Sequence, residues 1–476
     1  MQVRITILSE EEKQKIHGES VRILEEVGVR LVSPRALDLL ADHGAGVDPK
    51  RQIAKIPVTM VERALETAPR SFALGARDPA YDLTLPASCP SYNLDGGVTY
   101  ALDFYSGERR YGRTEDLERG LRVFEEMEMG TVVWPPVVVH DLPQNSALVR
   151  RFITSLKYTS KHLQDEIFRP EEVPYFIEAC IAVTGSEALL RRRKPFSVVY
   201  CPVAPLVHDG QMSEAYLKLC EYEVPILIFP MPAAGSTGPA SLRSNIALAN
   251  AESLSCLVLF QTARPGTPLI YGNASGSFDF STGEFLEGAP EMVLQTAALG
   301  EMARFYQLPN TQAGCLTDAK HHGPQAVLEK LLTTMPLVLS GVDVVQGIGA
   351  LECSQVLSLE QIVVDHEIGR LCERLRQGLD FAEAKNYFRD IKEVGPGGNF
   401  LLTDSTVKAC RSDEFLTSEL LDRHTYESWL QLGMPDPYKR ARERVEKILE
   451  SPQQNPLSET TIRALDEIME RADREL

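Results

Sequence analysis

Aromatic and polar side chains recur at or near the ends of apolar segments in this chain. An aromatic face attracts a quaternary ammonium ion by cation–π interaction, which contributes up to about 2 kcal/mol when the ring is desolvated. A nearby carboxylate would complement the positive charge. The pattern indicates a cage for an organic cation, although a single such ring is more often part of a core. The candidates for binding the cation and its polar end are Tyr100, Phe104, Glu166, Tyr200, Phe229, Tyr271, Asn273, Gln312, Gln346 and Glu352, with Trp134 as a further ring.

Strand-like apolar segments alternate with helical stretches from residue 91 to about residue 380, which predicts an α/β fold, a TIM (β/α)8 barrel. In such a barrel the loops after the strands build the active site, so the candidate side chains would line one pocket. The predicted strands are 93–104, 131–139, 161–166, 196–200, 226–229, 269–271, 311–314 and 342–346. The predicted helices lie near 146–158, 171–184, 211–223, 237–263, 289–306, 322–340 and 358–379, with another after Thr114.

Two further regions flank the predicted barrel. Residues 1–90 form an N-terminal, mainly helical extension that should pack on the barrel because its apolar stripes are short. Ser9 and Glu12 make a capping-box pattern, which predicts a helix over 10–27, and further helices are expected over 34–43 and 57–67. Residues 381–476 are expected to form a C-terminal loop followed by a helical tail from about residue 415.

Composition limits the partners and the compartment. The 476 residues include 49 Lys and Arg against 67 Asp and Glu, a formal charge of −18 that disfavours nucleic acid as a partner. Nine cysteines without a CxxC motif are typical of reduced thiols in a cytoplasmic protein. No window of about 18 uninterrupted apolar residues suggests a membrane span. We therefore expect a cytoplasmic protein that binds neither membrane nor nucleic acid.

The sequence gives little support for a nucleotide site, a cysteine nucleophile or a metal site. The glycine-rich segment 395–399 follows no buried strand, so a nucleotide cofactor is not expected. The thiols of Cys201 and Cys315 lack an identifiable base and are interpreted as buried and inert. Adjacent histidines point in different directions, so no metal site is expected at the cluster Cys315, Asp318, His321 and His322. No residue is assigned as catalytic.

Several motifs together resemble the trimethylamine methyltransferase family. They are CLTDAK at 315–320, VDVVQGIGALE at 342–352 and EVGPGGNFL at 393–401, joined by PMPAAGSTGPASL at 230–242 and PLIYGNASG at 268–276. The resemblance covers nearly the whole chain. It implies a TIM barrel that transfers a methyl group from a methylated amine to the Co(I) centre of a separate corrinoid protein. Cobalamin would then belong to the partner, and no cofactor would be tightly bound to this chain.

The chain departs from that family in two respects. The founding members use pyrrolysine, whereas this sequence contains only standard residues, so it looks like the branch associated with quaternary amines such as glycine betaine. A quaternary nitrogen leaves as a neutral tertiary amine, and its displacement therefore needs no protein acid. Gln346 and Asn399 stand where the resemblance leads us to expect histidines. Because a neutral amide binds carboxylate more weakly than a charged donor, glycine betaine itself is not assured as the substrate.

Two other functions are also compatible with the sequence. A barrel of this kind could catalyse zinc-dependent methyl transfer to a thiol or from a methyl-corrinoid. It could also be a non-catalytic protein that binds a quaternary ammonium and docks a corrinoid protein. The sequence does not choose between betaine, carnitine, proline betaine and other quaternary amines, and it leaves a homo-oligomer open.

Overall fold

The structure is a computed structural model that describes residues 2–476. Eight parallel strands close a barrel in which each strand pairs with its neighbours in chain order. The prediction of a TIM barrel is therefore confirmed. The strands are β1 Ser91–Leu94, β2 Gly130–Val133, β3 His162–Asp165, β4 Phe196–Tyr200, β5 Ile226–Ile228, β6 Leu269–Asn273, β7 Asn310–Ala313 and β8 Val344–Ile348.

A helix follows each barrel strand and packs on the outside. These helices agree with the predicted ones to within a few residues, apart from α5, which starts five residues later. They are α1 Thr114–Glu125, α2 Ala147–Tyr158, α3 Val173–Thr184, α4 Gly210–Glu221, α5 Leu242–Ala263, α6 Pro290–Phe305, α7 Pro324–Ser340 and α8 Leu359–Gln377, with Glu187–Arg193 between α3 and β4.

Helix α5 is long and apolar enough to cross a membrane by length and composition alone. However, 89% of its most apolar window is buried within this molecule, between the barrel and the N-terminal helices. Helices α3 and Glu187–Arg193 meet the same criterion only as a pair, and they are bent by 91° at their junction. The apolar character of α5 is that of a core helix covered on several sides.

The first two strands end earlier than the sequence predicted, and both predictions were wrong in extent. Strand β1 stops at Leu94, before Gly96 and Gly97, and residues 100–102 belong to a different sheet. Strand β2 stops at Val133 because Pro135 and Pro136 have no N–H to donate to a neighbouring strand.

Short sheets lie in the loops at the carboxyl ends of the barrel strands. A four-stranded sheet joins the loops after β8 and β1, and a two-stranded hairpin lies in the loop after β6. They form a rim beside the barrel mouth. The sheet strands in spatial order are Ala350–Leu351, Val356–Leu357, Tyr100–Leu102 and Arg109–Tyr111, and the hairpin strands are Ser277–Phe278 and Phe285–Leu286.

The N-terminal region contains the expected helices, Glu10–Arg22 with a π-helical turn at Ile23–Val27, Pro34–Asp42 and Val58–Thr67. Ser9 and Glu12 form the predicted capping box. The sequence missed a small sheet of Val29–Leu31, Gly46–Asp48 and Ile53–Lys55 that pairs with Val207–His208, and a second pair, Phe72–Leu74 with Leu83–Leu85. Strands of three residues are too short to show an alternating pattern.

The C-terminal region begins with short helices and ends with two long ones, Pro437–Glu450 and Glu459–Glu475, which pack on α8 and α1 and on α3 and α2. The short helices are Phe388–Val394, Asp404–Cys410 and Tyr426–Gln431. Large apolar side chains are exposed along this stretch, namely Phe381, Phe388, Ile391, Phe400, Leu401, Leu402, Phe415, Tyr426, Leu432 and Met434. Such a surface suits an interface between chains, and a homo-oligomer stays a prediction.

A buried hydrogen-bond network ties the N-terminal extension to the barrel. Asn250 on α5 donates to Ser20 Oγ at 2.8 Å and to Tyr306 Oη at 2.9 Å. Tyr271 in the middle of β6 donates its hydroxyl to Asn250 Oδ1 at 2.7 Å. Each polar atom in this core therefore depends on the others for its partner.

Replacing Tyr271 by Phe should lower the free energy of unfolding by roughly 1 to 3 kcal/mol, because Asn250 Oδ1 would be buried without a donor. Denaturant titration measures the loss. Ligand binding by the folded variant should be unchanged. A drop in substrate affinity without loss of stability would instead place this ring at the binding site.

Candidate active site at the barrel mouth

Five inward-facing side chains form a ring at the carboxyl ends of β1 to β5, which we call the mouth ring: Asp95, Trp134, Glu166, Cys201 and Phe229. Side chains alternate between the two faces of a strand. Each mouth-ring residue therefore shares the inner face with the residue two positions earlier, such as Asn93 before Asp95. Trp134, Cys201 and Phe229 pack in one cluster with the inward residues Val132, Val199 and Leu227.

A layer of neutral polar side chains forms the floor beneath this ring. Asn93 Nδ2 donates to Gln164 Oε1 at 3.0 Å and to Gln346 Oε1 at 3.3 Å. Gln164 donates to Ser197 Oγ, which also lies 2.9 Å from His162 Nε2. Burial lowers the pKa of His162 to about 4, so the ring is neutral at physiological pH. The floor thus crosses the barrel from β8 to β4 without a net charge.

Two aromatic rings stand above the floor. The ring centroids of Trp134 and Phe229 are 6.5 Å apart with an interplanar angle of 77°, and the residues are only 7% and 4% exposed. A Cβ at Gly96 would lie 1.9 Å from Trp134 Cδ2, so the backbone after β1 can approach the indole only as glycine. The indole Nε1 finds no hydrogen-bond partner within residues 2–476. This edge of the ring is available to a ligand.

A buried arginine with two carboxylates flanks the rings on one side. Arg151 pairs closely with Asp165, and its Nη2 lies 3.4 Å from Glu166 Oε1. Burial raises the pKa of Asp165 to about 7, although Arg151 opposes the shift. Glu166 is the member of this group that belongs to the mouth ring.

A second acidic group lies on the other side, around Asp95. The Ser354 hydroxyl donates to Glu287 Oε2 at 2.6 Å and also lies beside the Asp95 carboxylate. Burial raises the pKa of Asp95, and burial with the Asp95 charge raises the pKa of Glu287. Lys330 is the basic group nearby, but its ammonium already donates to Asp365 at 2.8 Å and to the carbonyls of Cys315 and Gly347.

The site therefore combines an aromatic pair with more carboxylate than basic side chains. Such surroundings bind a cation and offer hydrogen bonds to a polar group at the floor. The remaining mouth-ring residue, Cys201, has its pKa raised well above the usual thiol value by burial, so it is not an activated nucleophile. Within residues 2–476 no group of three or more His, Cys, Asp or Glu side chains has a metal-binding arrangement.

Comparison of the sequence with known protein families identifies the family of this chain. The model of the trimethylamine methyltransferase family matches residues 2–476. The chain belongs to this family. It is 29% identical to trimethylamine methyltransferase MttB of Methanosarcina barkeri, with 99% of this chain and 96% of the relative covered. It is 31% identical to a glycine betaine methyltransferase of Desulfitobacterium hafniense, with 94% and 92% covered.

The prediction that the chain is a methyltransferase is thus confirmed. Solved structures support the fold. A hydroxylamine complex of MtmB matches with a TM-score of 0.56 at 11% identity, covering 98% of this chain and 88% of that one. The monomethylamine methyltransferase MtmB of Methanosarcina barkeri gives a TM-score of 0.50 at 10% identity, with 97% and 86% covered. At such identities the likeness concerns the barrel and not its ligand.

Three of the residues predicted for substrate binding meet at the mouth of this family member. Phe229 and Glu166 belong to the mouth ring, and Gln346 belongs to the floor. Gln346 Nε2 has no acceptor in the described part of the chain, although the residue is only 2% exposed. A buried donor without a partner is costly, so this amide is suited to hold a ligand.

Four predicted residues are buried behind the barrel wall. Tyr200 donates to or accepts from Ser213 and His208 at 2.9 and 3.0 Å, and Tyr271 belongs to the Asn250 network. Gln312 packs toward α6 beside Gly300. Asn273 binds the carbonyl of Pro230 and the N–H of Ser275 and so shapes the loop after β6. The structure does not bring these side chains into the mouth ring.

The last three predicted residues lie on the rim. The Arg109 guanidinium covers the Tyr100 ring, 3.5 Å from its centroid, and also pairs with Glu352 at 2.8 Å. Arg442 lies 4.3 Å from the centroid of Phe104. Both rings already hold a protein cation. Both rings lie away from the mouth because β1 ends early and the chain continues into the rim strand Tyr100–Leu102 and the turn after it.

The structure also adds residues that the sequence reasoning did not single out. Asp95 and Glu287 were absent from the candidates, and Trp134 was named without a substrate role. The segment Asp95–Gly96–Gly97 directly after a buried strand was the available signal for an inward carboxylate with a close backbone approach. Asn399, by contrast, lies in an exposed turn, and His322 stacks on Tyr438 and binds Ser358.

Replacing Gly96 by Ala should displace the Trp134 ring, because the added Cβ would otherwise lie 1.9 Å from Trp134 Cδ2. We expect a loss of about 1 to 3 kcal/mol in unfolding free energy and a changed tryptophan emission. The chain has two tryptophans, so the measurement is made with Trp429 replaced by Phe.

Gly18→Ala is the matched control, because a Cβ there meets nothing within 4 Å and the residue lies inside a helix. It should leave emission unchanged and stability equal or higher. Identical emission spectra for Gly96→Ala and the parent protein would contradict the described contact.

Proposed function

We propose that the protein demethylates a quaternary amine and that the methyl group passes to a corrinoid protein docked at the barrel mouth. The observation that carries this proposal is the aromatic pair of Trp134 and Phe229 placed between two groups with surplus carboxylate. A permanently charged, weakly hydrated ammonium suits such a site better than a neutral amine does. The glycine betaine methyltransferase among the relatives supports a quaternary substrate.

The residues of this chain would bind and position the substrate. The aromatic faces and the carboxylates of Asp95 and Glu166 hold the ammonium, and the floor receives the rest of the molecule. A corrinoid supplied by the partner would provide the nucleophile. Because the amine leaves as a neutral molecule, the chain needs no general acid, and its contribution is orientation and exclusion of water.

The floor gives a reason to expect a polar substituent on the substrate. Gln346 Nε2 lies buried without an acceptor, next to the Asn93 amide. A carboxylate or hydroxyl two or three bonds from the nitrogen would accept this donor. A neutral amide accommodates either group, so betaines and choline-like alcohols are both candidate substrates.

The alternative functions have less support. Zinc-dependent methyl transfer would need a set of ligands that residues 2–476 do not assemble. Stoichiometric zinc in the purified protein would favour it nonetheless. A protein that only binds the ammonium would show tight binding without methylating cobalt.

A substrate panel with a reduced corrinoid protein tests the proposal, with cobalamin absorbance as the measurement. Each quaternary amine should be demethylated once. Its tertiary counterpart should be inert, because loss of a methyl group from a neutral tertiary amine would expel a dialkylamide anion unless an acid protonated the nitrogen. Trimethylamine turned over as fast as a betaine would contradict the proposed substrate class.

Replacing Trp134 or Phe229 by Leu should weaken binding of the substrate cation by about 1 to 2 kcal/mol each, because Leu retains apolar volume but lacks the ring quadrupole. Equilibrium titration measures the affinity. Tyr426→Leu changes an exposed ring far along the chain and serves as the control. Unchanged affinity in both mouth variants would show that the cation binds elsewhere.

A further inference from the structure

We propose that Asp95 and Glu287 form an acid pair that shares one proton in the free protein and releases it to solvent when a quaternary ammonium enters the mouth. This inference rests on the proposed function for the site, but adds a coupling between substrate binding and proton release. Asp95 belongs to the mouth ring, whereas Glu287 reaches the same place from the loop between β6 and α6. The closed barrel brings these two segments to Ser354, which follows β8 and lies beside both carboxylates.

The local contacts leave this pair short of donors. The Ser354 hydroxyl donates to Glu287 Oε2 at 2.6 Å and lies beside the Asp95 carboxylate, which otherwise faces only the N–H of Gly96. Asp95 is 9% exposed, and its Oδ2 has no hydrogen-bond partner in the described residues. Two ionised carboxylates beside the same hydroxyl would repel each other, and protonation of one of them removes that repulsion.

The turn that carries Ser354 is built for this contact. Glu352, Cys353 and Ser354 have φ values of 58°, 51° and 55°, so three consecutive non-glycine residues adopt the left-handed region. Such a run costs free energy and persists where the surroundings fix it. Here the fixing contacts are Glu352 N–H to Ala319 O at 2.8 Å and Cys353 N–H to Thr317 O at 3.0 Å.

The other charged groups around the pair do not neutralise it. Lys330 attracts both carboxylates, but it is paired with Asp365, which adds its own negative charge. On the loop side, Asp318 faces Glu287 and accepts from its N–H at 2.8 Å and from Cys353 Sγ at 2.8 Å. Asp318 thus adds further repulsion. Burial keeps the Cys353 thiol protonated, with its pKa raised well above the usual value.

The consequence is a defined pH dependence. Burial raises the pKa of both members, and the Asp95 charge raises the pKa of Glu287 further, so one proton is retained near neutral pH in the free protein. A bound cation favours the ionised pair, and protons therefore compete with it. The apparent Kd should rise as the pH falls below the pKa of the pair, by up to about tenfold per pH unit, and should level off above that pKa.

Titration calorimetry of the wild-type protein with tetramethylammonium chloride tests the coupling directly. The probe carries no titratable group, and binding enthalpies in buffers of different ionisation enthalpy give the number of protons released. We expect release that approaches one proton per cation on the acidic side of neutrality and disappears at alkaline pH. The neutral molecule tert-butanol, which has a similar shape, should release none.

Two variants assign the proton. Glu287→Gln keeps an acceptor for Ser354 but removes the like charge beside Asp95, so proton release should fall close to zero and the Kd should become nearly independent of pH. Asp95→Asn removes the other charge of the pair and should likewise abolish proton release and the pH dependence of the Kd. Glu284→Gln alters an exposed carboxylate on the same loop and should retain wild-type release.

The outcomes separate the two proposals. Cation binding with no proton release and a flat pH profile in the wild-type protein overturns the acid pair and leaves the proposed function standing. No binding of tetramethylammonium or of betaines at any pH overturns the proposed function itself. Wild-type release that persists unchanged in both folded variants assigns the proton to another group and also overturns the inference.

Discussion

Buried negative charge at the barrel mouth is the constraint on which the site depends. The carboxylates of Asp95, Glu287 and Glu166 lie around a small aromatic pair, with Asp165 behind Glu166, while the nearby Arg151 and Lys330 are already engaged. Charge of this kind is not tolerated in a low-dielectric interior unless something neutralises it. Protons can do so in the free protein, and a substrate cation can do so in the complex. Burial first, and then the neighbouring negative charge, raises the pKa of Asp165 and Glu287, and the same excess of carboxylate favours a cationic ligand.

The barrel makes this arrangement possible by bringing together residues that are far apart in the chain. Closure places β1 beside β8 and so brings Asp95 near the loops that carry Ser354 and Glu287. Alternation along each strand then sends one residue to the mouth and its neighbour to the outer helices. Val199 and Tyr200 show the effect, since the first packs inside the barrel and the second binds Ser213 and His208 outside it.

This alternation also explains what the sequence could and could not predict. The barrel, most of its helices and the family followed from periodicity and motifs. The sequence did not show whether each aromatic side chain points into the barrel or outward, because a fully buried parallel strand is apolar on both faces. Tyr200 and Tyr271 therefore looked equivalent to Phe229. Tyr100 and Phe104 were misplaced for a different reason, since β1 is only four residues long and the chain then continues into the rim. The acid pair was invisible in the sequence because Glu287 and Asp95 are distant in the chain.

The most direct measurement of the central claim is a crystal structure with arsenobetaine, in which an arsenic atom replaces the quaternary nitrogen and gives an anomalous signal. The account predicts one arsenic peak within about 6 Å of the ring centroids of Trp134 and Phe229, with its charge facing Asp95 and Glu166. A peak beside Tyr100 or Phe104 on the rim, or an empty barrel mouth in crystals that bind the ligand elsewhere, would contradict it.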